Sequence, residues 1–262
     1  MMFLLQMKTW LVRLLVVSSA ITGFLSCTPA YYPSPRQTAA SEASAIQRTE
    51  RPGLATGWGN QKSSPVAGRA FIRSSSKPVG SDVIYYNNLQ GIENMASQPT
   101  RVSGMQSAAG NLVHWGIKGR FGFLPTFKEN WGQNRRFVAG ETDKPYSIAI
   151  HNDSDSPLEI VASVDGLDVQ DGKPASFSKR GYLVDAQQTI LIDGFRTSYS
   201  HVAAFKFSSV AGSYANLRHG DTRNVGVIGI AVFTQKGERS WATAPGESKI
   251  RASAKPFSET PN

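Results

Sequence analysis

The chain is predicted to be an all-β protein built around an antiparallel β-sandwich, and three observations carry that expectation. Between Leu112 and Gln235 the sequence offers nine runs of mostly five to nine residues rich in Val, Ile and Phe: LVHWGIKG, GFLPTFK, RRFVAG, YSIAIHN, LEIVASVDG, GYLVD, QTILIDGF, VAAFKFSS and NVGVIGIAVFTQ. The spacers between them, among them NDSDSP, DG, KRG, DAQQ and DTRN, are turn chemistry rather than helix caps. No stretch of a dozen residues in this region holds a 3.6-residue period, whereas Tyr146, Ile148 and Ile150 alternate with Ser147, Ala149 and His151. Alternation marks half-buried strands, and the unbroken apolar run Val225–Phe233 marks a central strand covered on both faces. That many strands in one domain implies Greek-key or jelly-roll connections, with a small barrel as the other closure.

The elements before this domain differ in kind. Residues 1–26 carry Lys8 and Arg13, no acid and a short apolar run, the composition of a secretory signal peptide. The run up to Cys27 is too short for the roughly 20 apolar residues that span a bilayer. Phe24-Leu25-Ser26-Cys27 resembles a lipobox, and Cys27 is the single cysteine of the chain, so no internal disulfide and no multi-cysteine metal site can form. Cys27 is therefore expected to be lipidated, and Thr28 after it favours the bacterial outer membrane; periplasmic or secreted protein is the alternative. Residues 27–51 are Pro-, Ser-, Ala- and Thr-rich and read as a flexible tether.

Residues 52–111 read as an irregular segment. They are Gly- and Ser-rich, with Leu54, Trp58, Phe71 and Ile72 to dock it, and with Leu89, Ile92 and Met95 at the spacing of a short helix. Residues 236–262 read as a mobile polar tail. The net charge of +9 falls to +7 without Lys8 and Arg13, a mild excess that favours anionic envelope surfaces. Nucleic acid is no partner outside the cytoplasm.

The most chemistry-like stretch is SVDGLDVQDGKPA, where Asp165, Asp168 and Asp171 stand three residues apart. The interval is wrong for an EF-hand loop, and no closing glutamate follows. Paired carboxylates for hydrolysis need a cleft and one desolvated member, whereas two aspartates on a solvated hairpin both stay ionised. The glycines after Asp165 and Asp171 point to turns. His114, His151, His201 and His219 show no metal-binding interval, although His151, at a strand end, could approach a loop from elsewhere. No cofactor is expected. Trp58, Trp115 and Trp131 could stack on sugars or on a partner's apolar patch. The plainer reading puts Trp115 and Trp131 in the core and uses Trp58 to pin the N-terminal segment. Gly226 and Gly229 do not form a phosphate loop and instead let a backbone or a ring come close.

The stretches VDGLDVQDGKPASFSKRGYLV, HVAAFKF, SYANLRHGDTRNVGVIGIAVF and RPGLATGWGNQ are similar to those of a family of bacterial secreted or lipid-anchored β-sandwich proteins. The resemblance implies a place outside the cytoplasm and assigns no catalytic residue. The function expected is non-catalytic binding or scaffolding in the envelope. The alternative is an envelope hydrolase or a cation-dependent carbohydrate-binding protein using Asp165, Asp168 and Asp171.

Overall fold

The computed structural model describes residues 51–66 and 68–238; Cys27, the signal-like and tether segments before residue 51 and the tail beyond residue 238 lie outside the described residues. The protein is an all-β sandwich of three sheets. The largest follows the order β11 (Leu167–Asp168), β10 (Leu158–Val164), β16 (Val227–Thr234), β2 (Gly80–Asn87), β8 (Arg136–Ala139), β7 (Thr126–Lys128), β3 (Thr100–Val102), with β12 (Tyr182–Val184) also on β10. A second sheet runs β13 (Thr189–Ile192), β9 (Ser147–Asn152), β5 (Val113–Gly119), β4 (Gln106–Ala108), with β6 (Gly122–Phe123) returning along β5. The third is β1 (Leu54–Ser63), β15 (His201–Ser209) and β14 (Gly194–Arg196). Inner residues of all three, among them Ile84, Trp115, Ile150, Ile160, Phe205 and Ile230, meet in one core. No helix among the described residues is long and apolar enough to cross a membrane.

The expected runs appear where the apolar alternation puts them, with two interruptions that have local causes. GFLPTFK divides into β6 and β7 around Pro125, which has no amide to donate to a ladder. QTILIDGF divides at Asp193, and Gly194 then packs so tightly on Ala203 that a side chain there would overlap its carbonyl. β16 is central as expected, paired with β10 on one side and β2 on the other.

Residues 52–111 depart from the expected irregular segment. Leu54–Ser63 is a ten-residue strand zipped along β15, and Gly80–Asn87 lies at the centre of the largest sheet, antiparallel to β16 and parallel to β8. Gly59 explains why β1 does not look like a strand: a Cβ there would sit 2.5 Å from the carbonyl oxygen of Ala204, so glycine answers a close backbone approach rather than a need for flexibility. The register slips between Trp58 and Gln61, a bulge that tilts the strand. The expected short helix forms as α1 (Leu89–Met95), capped by the Asn88 side chain accepting from Gly91 N and burying Ile92. A second helix, α2 (Tyr214–His219), is capped by Ser213 and closed by Gly220 in the left-handed region.

Candidate functional site

The aspartate stretch forms a two-residue hairpin. Val164 pairs with Leu167, and between them Asp165 and Gly166 both have positive φ, 54° and 79°, the signature of a type I′ turn that Asp-Gly accommodates. The turn reading of Asp165 is thus matched by the backbone, but the expected solvated carboxylate is not. Asp165 is 4% exposed, with Oδ2 accepting from Thr56 N at 2.8 Å and Oδ1 accepting from Tyr86 Oη at 2.6 Å and Gly226 N at 2.9 Å. Burial outweighs these donors and pushes its carboxyl up to about 6. Thr56 Oγ1 continues the network to Tyr86 Oη at 2.8 Å and Tyr146 Oη at 2.6 Å, and burial raises both phenols well above the ordinary tyrosine value. Every link of this hydroxyl chain can point either way. With Asp165 ionised, the donors run toward it; with Asp165 protonated, they can reverse and accept its proton.

The other two aspartates are engaged separately. Asp168 is buried, its Oδ1 accepting from Gln170 N at 2.8 Å while Oδ2 has no hydrogen-bond partner among the described residues, and burial pushes its carboxyl up. Burial works against the Asp171 charge, yet the Lys179 ammonium, bonded at 2.6 and 2.7 Å, holds this carboxyl below the usual range. His151 joins none of them. It faces Thr189 at 2.9 Å and Asp153 at 3.7 Å, directly across the ladder from His114, whose Nδ1 lies 2.6 Å from Asp153 Oδ2. The pairing of His114 with Asp153 was not visible in sequence, because 39 positions separate them. Among the described residues no group of three or more His, Cys, Asp or Glu is placed to hold a metal ion. Calorimetric titration with calcium is accordingly expected to give no binding heat; a micromolar site would overturn the turn reading.

The tryptophans part company. Trp115 is fully buried, as expected, with Nε1 donating to Asp82 Oδ2 at 2.7 Å and the Arg136 guanidinium 5.3 Å over its ring. Trp131 is not in the core: it is 70% exposed, because it falls in the connection between β7 and β8 rather than on a strand. Trp58 pins β1 as expected, stacked at 9° on Phe195 and 4.6 Å from Tyr214, but it remains 47% exposed. Tyr214 in turn abuts Gly172, so Trp58 and the end of the aspartate stretch approach the same ring.

Among the concavities of the described surface, two bear on function. One, of about 750 Å³, lies between the segment after β1 and β12–β13; Arg69 pairs there with Asp185 at 2.5 Å, and Arg180 bonds the Phe71 carbonyl. The other, of about 450 Å³, is an apolar groove on the outer face of β10, β16 and β2. Its floor is Val161, Ser163, Gly229 and Ala231, and Val83 and Phe177 line its sides, the latter 54% exposed. Gly229 keeps this floor flat, since a Cβ there would stand over it 3.0 Å from Ser163 Oγ and 3.9 Å from the Asp82 carbonyl oxygen. The unbroken apolar character of β16 signalled a covered outer face, and Val161, Ala231 and Phe233 do form a small outer cluster. Phe177 carried no such signal, standing alone between serines.

Compared with known proteins, the chain matches no family model, no curated sequence and no solved structure.

Proposed function

We propose that the chain is a lipid-anchored envelope module that binds rather than catalyses, holding an apolar segment of a partner protein in the groove over β10, β16 and β2. The observation that carries this reading is the groove itself, a flat Gly229–Ala231 floor beside the exposed Phe177 and the partly exposed Val83 at the centre of an otherwise covered sheet face. Central sheet positions with apolar residues on both faces call for a cover. Ser81, Ser163 and Ser176 at the groove supply hydrogen-bonding groups beside its apolar floor. The separate engagements of Asp165, Asp168 and Asp171 speak against the hydrolase alternative, which needs two carboxylates facing one bond. The half-exposed Trp58, near the turn that carries Asp171, is what a carbohydrate-binding reading would use.

In cells, a photo-cross-linking residue at Val83 is expected to capture a discrete partner, while the same residue at exposed Thr100 on β3 captures none. Equal background at both positions would sink the groove reading. Cys27→Ser is expected to move the chain out of the membrane fraction, and persistence there would sink the anchor.

A further inference from the structure

The hairpin between β5 and β6 is built to project. Lys118 is the last residue of β5 paired with β9, opposite Ser147, so the paired Gly119 and Gly122 and the two residues between them extend past the end of β9. The two residues at the tip are Arg120 and Phe121, closed by Gly119 opposite Gly122, the latter at φ 139°. Phe121 is 95% exposed, the most exposed large apolar side chain among the described residues, and Phe123 on the return strand is 43% exposed. The Arg120 guanidinium lies 5.3 Å over the Phe121 ring. Lys118 and Arg120 form no ion pair with any described carboxylate.

Three registers locate this tip in the molecule. Ser147 opposes Lys118, Pro145 bridges to Lys206, and three residues further along β15 Ser209 opposes Leu54, itself three residues on from Arg51, where the described chain begins. The tip and the entry of the N-terminal segment therefore share one end of the sandwich. The neighbouring connection at that end holds Glu141, Asp143 and Lys144, with Asp143 neutralised by Lys206 at 2.9 Å.

We propose that the β5–β6 tip is a membrane-docking point that inserts Phe121 into a bilayer bearing anionic phospholipid headgroups, with Arg120 and Lys118 on the phosphates. An aromatic ring on a protruding turn reaches the acyl boundary, while flanking guanidinium and ammonium groups stay at headgroup level. Each basic group near such a surface contributes about 1 kcal/mol, or roughly fivefold in binding, and one chain or ring alone binds only reversibly. The orientation rests on the anchored reading, since a tether leaving from the same end would present the tip to the membrane that holds it. The affinity of the tip does not.

The test uses the processed chain, from residue 27 onward with Cys27→Ser, so that no lipid contributes and every described residue is present. With vesicles containing phosphatidylglycerol, sedimentation is expected to show binding that weakens about tenfold with Phe121→Ala and about fivefold with Arg120→Gln. Binding should also fall as salt rises and be absent on pure phosphatidylcholine. Phe121 is exposed, so its replacement leaves the fold intact, which circular dichroism verifies. No binding to either vesicle, equal binding to both, or wild-type binding by both variants would overturn the docking tip. None of these outcomes bears on the anchor, which stands or falls on the cell fractionation of Cys27→Ser.

Discussion

Replacing Asp165 by alanine is expected to cost on the order of 5 kcal/mol, a large share of the stability of a domain of this size. The cost lies in what the lost carboxylate leaves behind. Thr56 N and Tyr86 Oη donate to it from buried positions and Gly226 N from a partly buried one, and each orphaned buried donor costs about 1–3 kcal/mol. Alanine would also have to hold φ near 54°, where Asp and Asn are tolerated better. Asparagine keeps that backbone and one acceptor, so Asp165→Asn should cost about 2 kcal/mol.

The charge itself has a separate signature. Its native pKa of about 6 lies above the ordinary value of 3.8, so between those values the folded state holds more proton than the unfolded state. Stability must then fall as pH rises through that window, by an amount on the order of 3 kcal/mol, and stay at the lower level above it. Asp168, also pushed up by burial, works in the same direction. Hydrogen bonds from Arg135 and Arg223 hold Glu129 and Asp221 at about 2, so their contributions are lost only as pH drops below about 4. Denaturant unfolding should accordingly find the protein more stable at pH 5 than at pH 7. Asp165→Asn should remove most of that difference, leaving the residue due to Asp168; an unchanged difference would show that Asp165 is not its source.

The second large effect lies at Asp82. Its carboxylate accepts from Trp115 Nε1 and pairs with Nη2 of Arg136, which is buried and whose Nη1 has no hydrogen-bond partner among the described residues. Burial draws the Arg136 guanidinium downward in pKa, but an arginine stays charged, and Asp82 is the group that compensates it. Asp82→Asn should therefore cost about 3 kcal/mol by leaving a buried cation unpaired. Arg136→Met should cost about 1 kcal/mol, because Asp82 is partly exposed and keeps two donors. In the double variant the asparagine no longer faces a cation, so the two losses should fall short of additive by about 2 kcal/mol. Additivity in urea unfolding would show that the pair is not coupled.

Much of the sandwich was legible because its strands alternate or run apolar without a break, as in YSIAIHN and NVGVIGIAVF. β1 was not, since Gly57 and Gly59 removed the alternation that a strand advertises, and the reason for Gly59 lies across the sheet in Ala204. β2 was hidden differently. Val83 to Tyr86 is a short apolar run that merges into the helical spacing of α1, and a run of four does not declare its class. At Asp165 the local chemistry was readable, aspartate-glycine in a hairpin, but its environment was not. Thr56, Tyr86 and Gly226 stand 109, 79 and 61 positions away, and no local pattern encodes a partner at that distance. Trp131 failed for the converse reason, an aromatic residue in a connection that no strand carries inward.

The pairing of β1 with β15 and of β2 with β16 also sets an order of events. A chain made from its N-terminus presents both early strands long before either partner exists, since β15 begins at His201 and β16 ends at Thr234. β2 would have β8 alone beside it, through three paired positions, and the Asp165 carboxylate would wait without the Gly226 amide. Closure thus comes with β16, the last described strand, late and at the cost of long loops, which makes for slow folding. The same delay leaves a growing chain without the β1–β15 and β2–β16 pairings until β16 has been made.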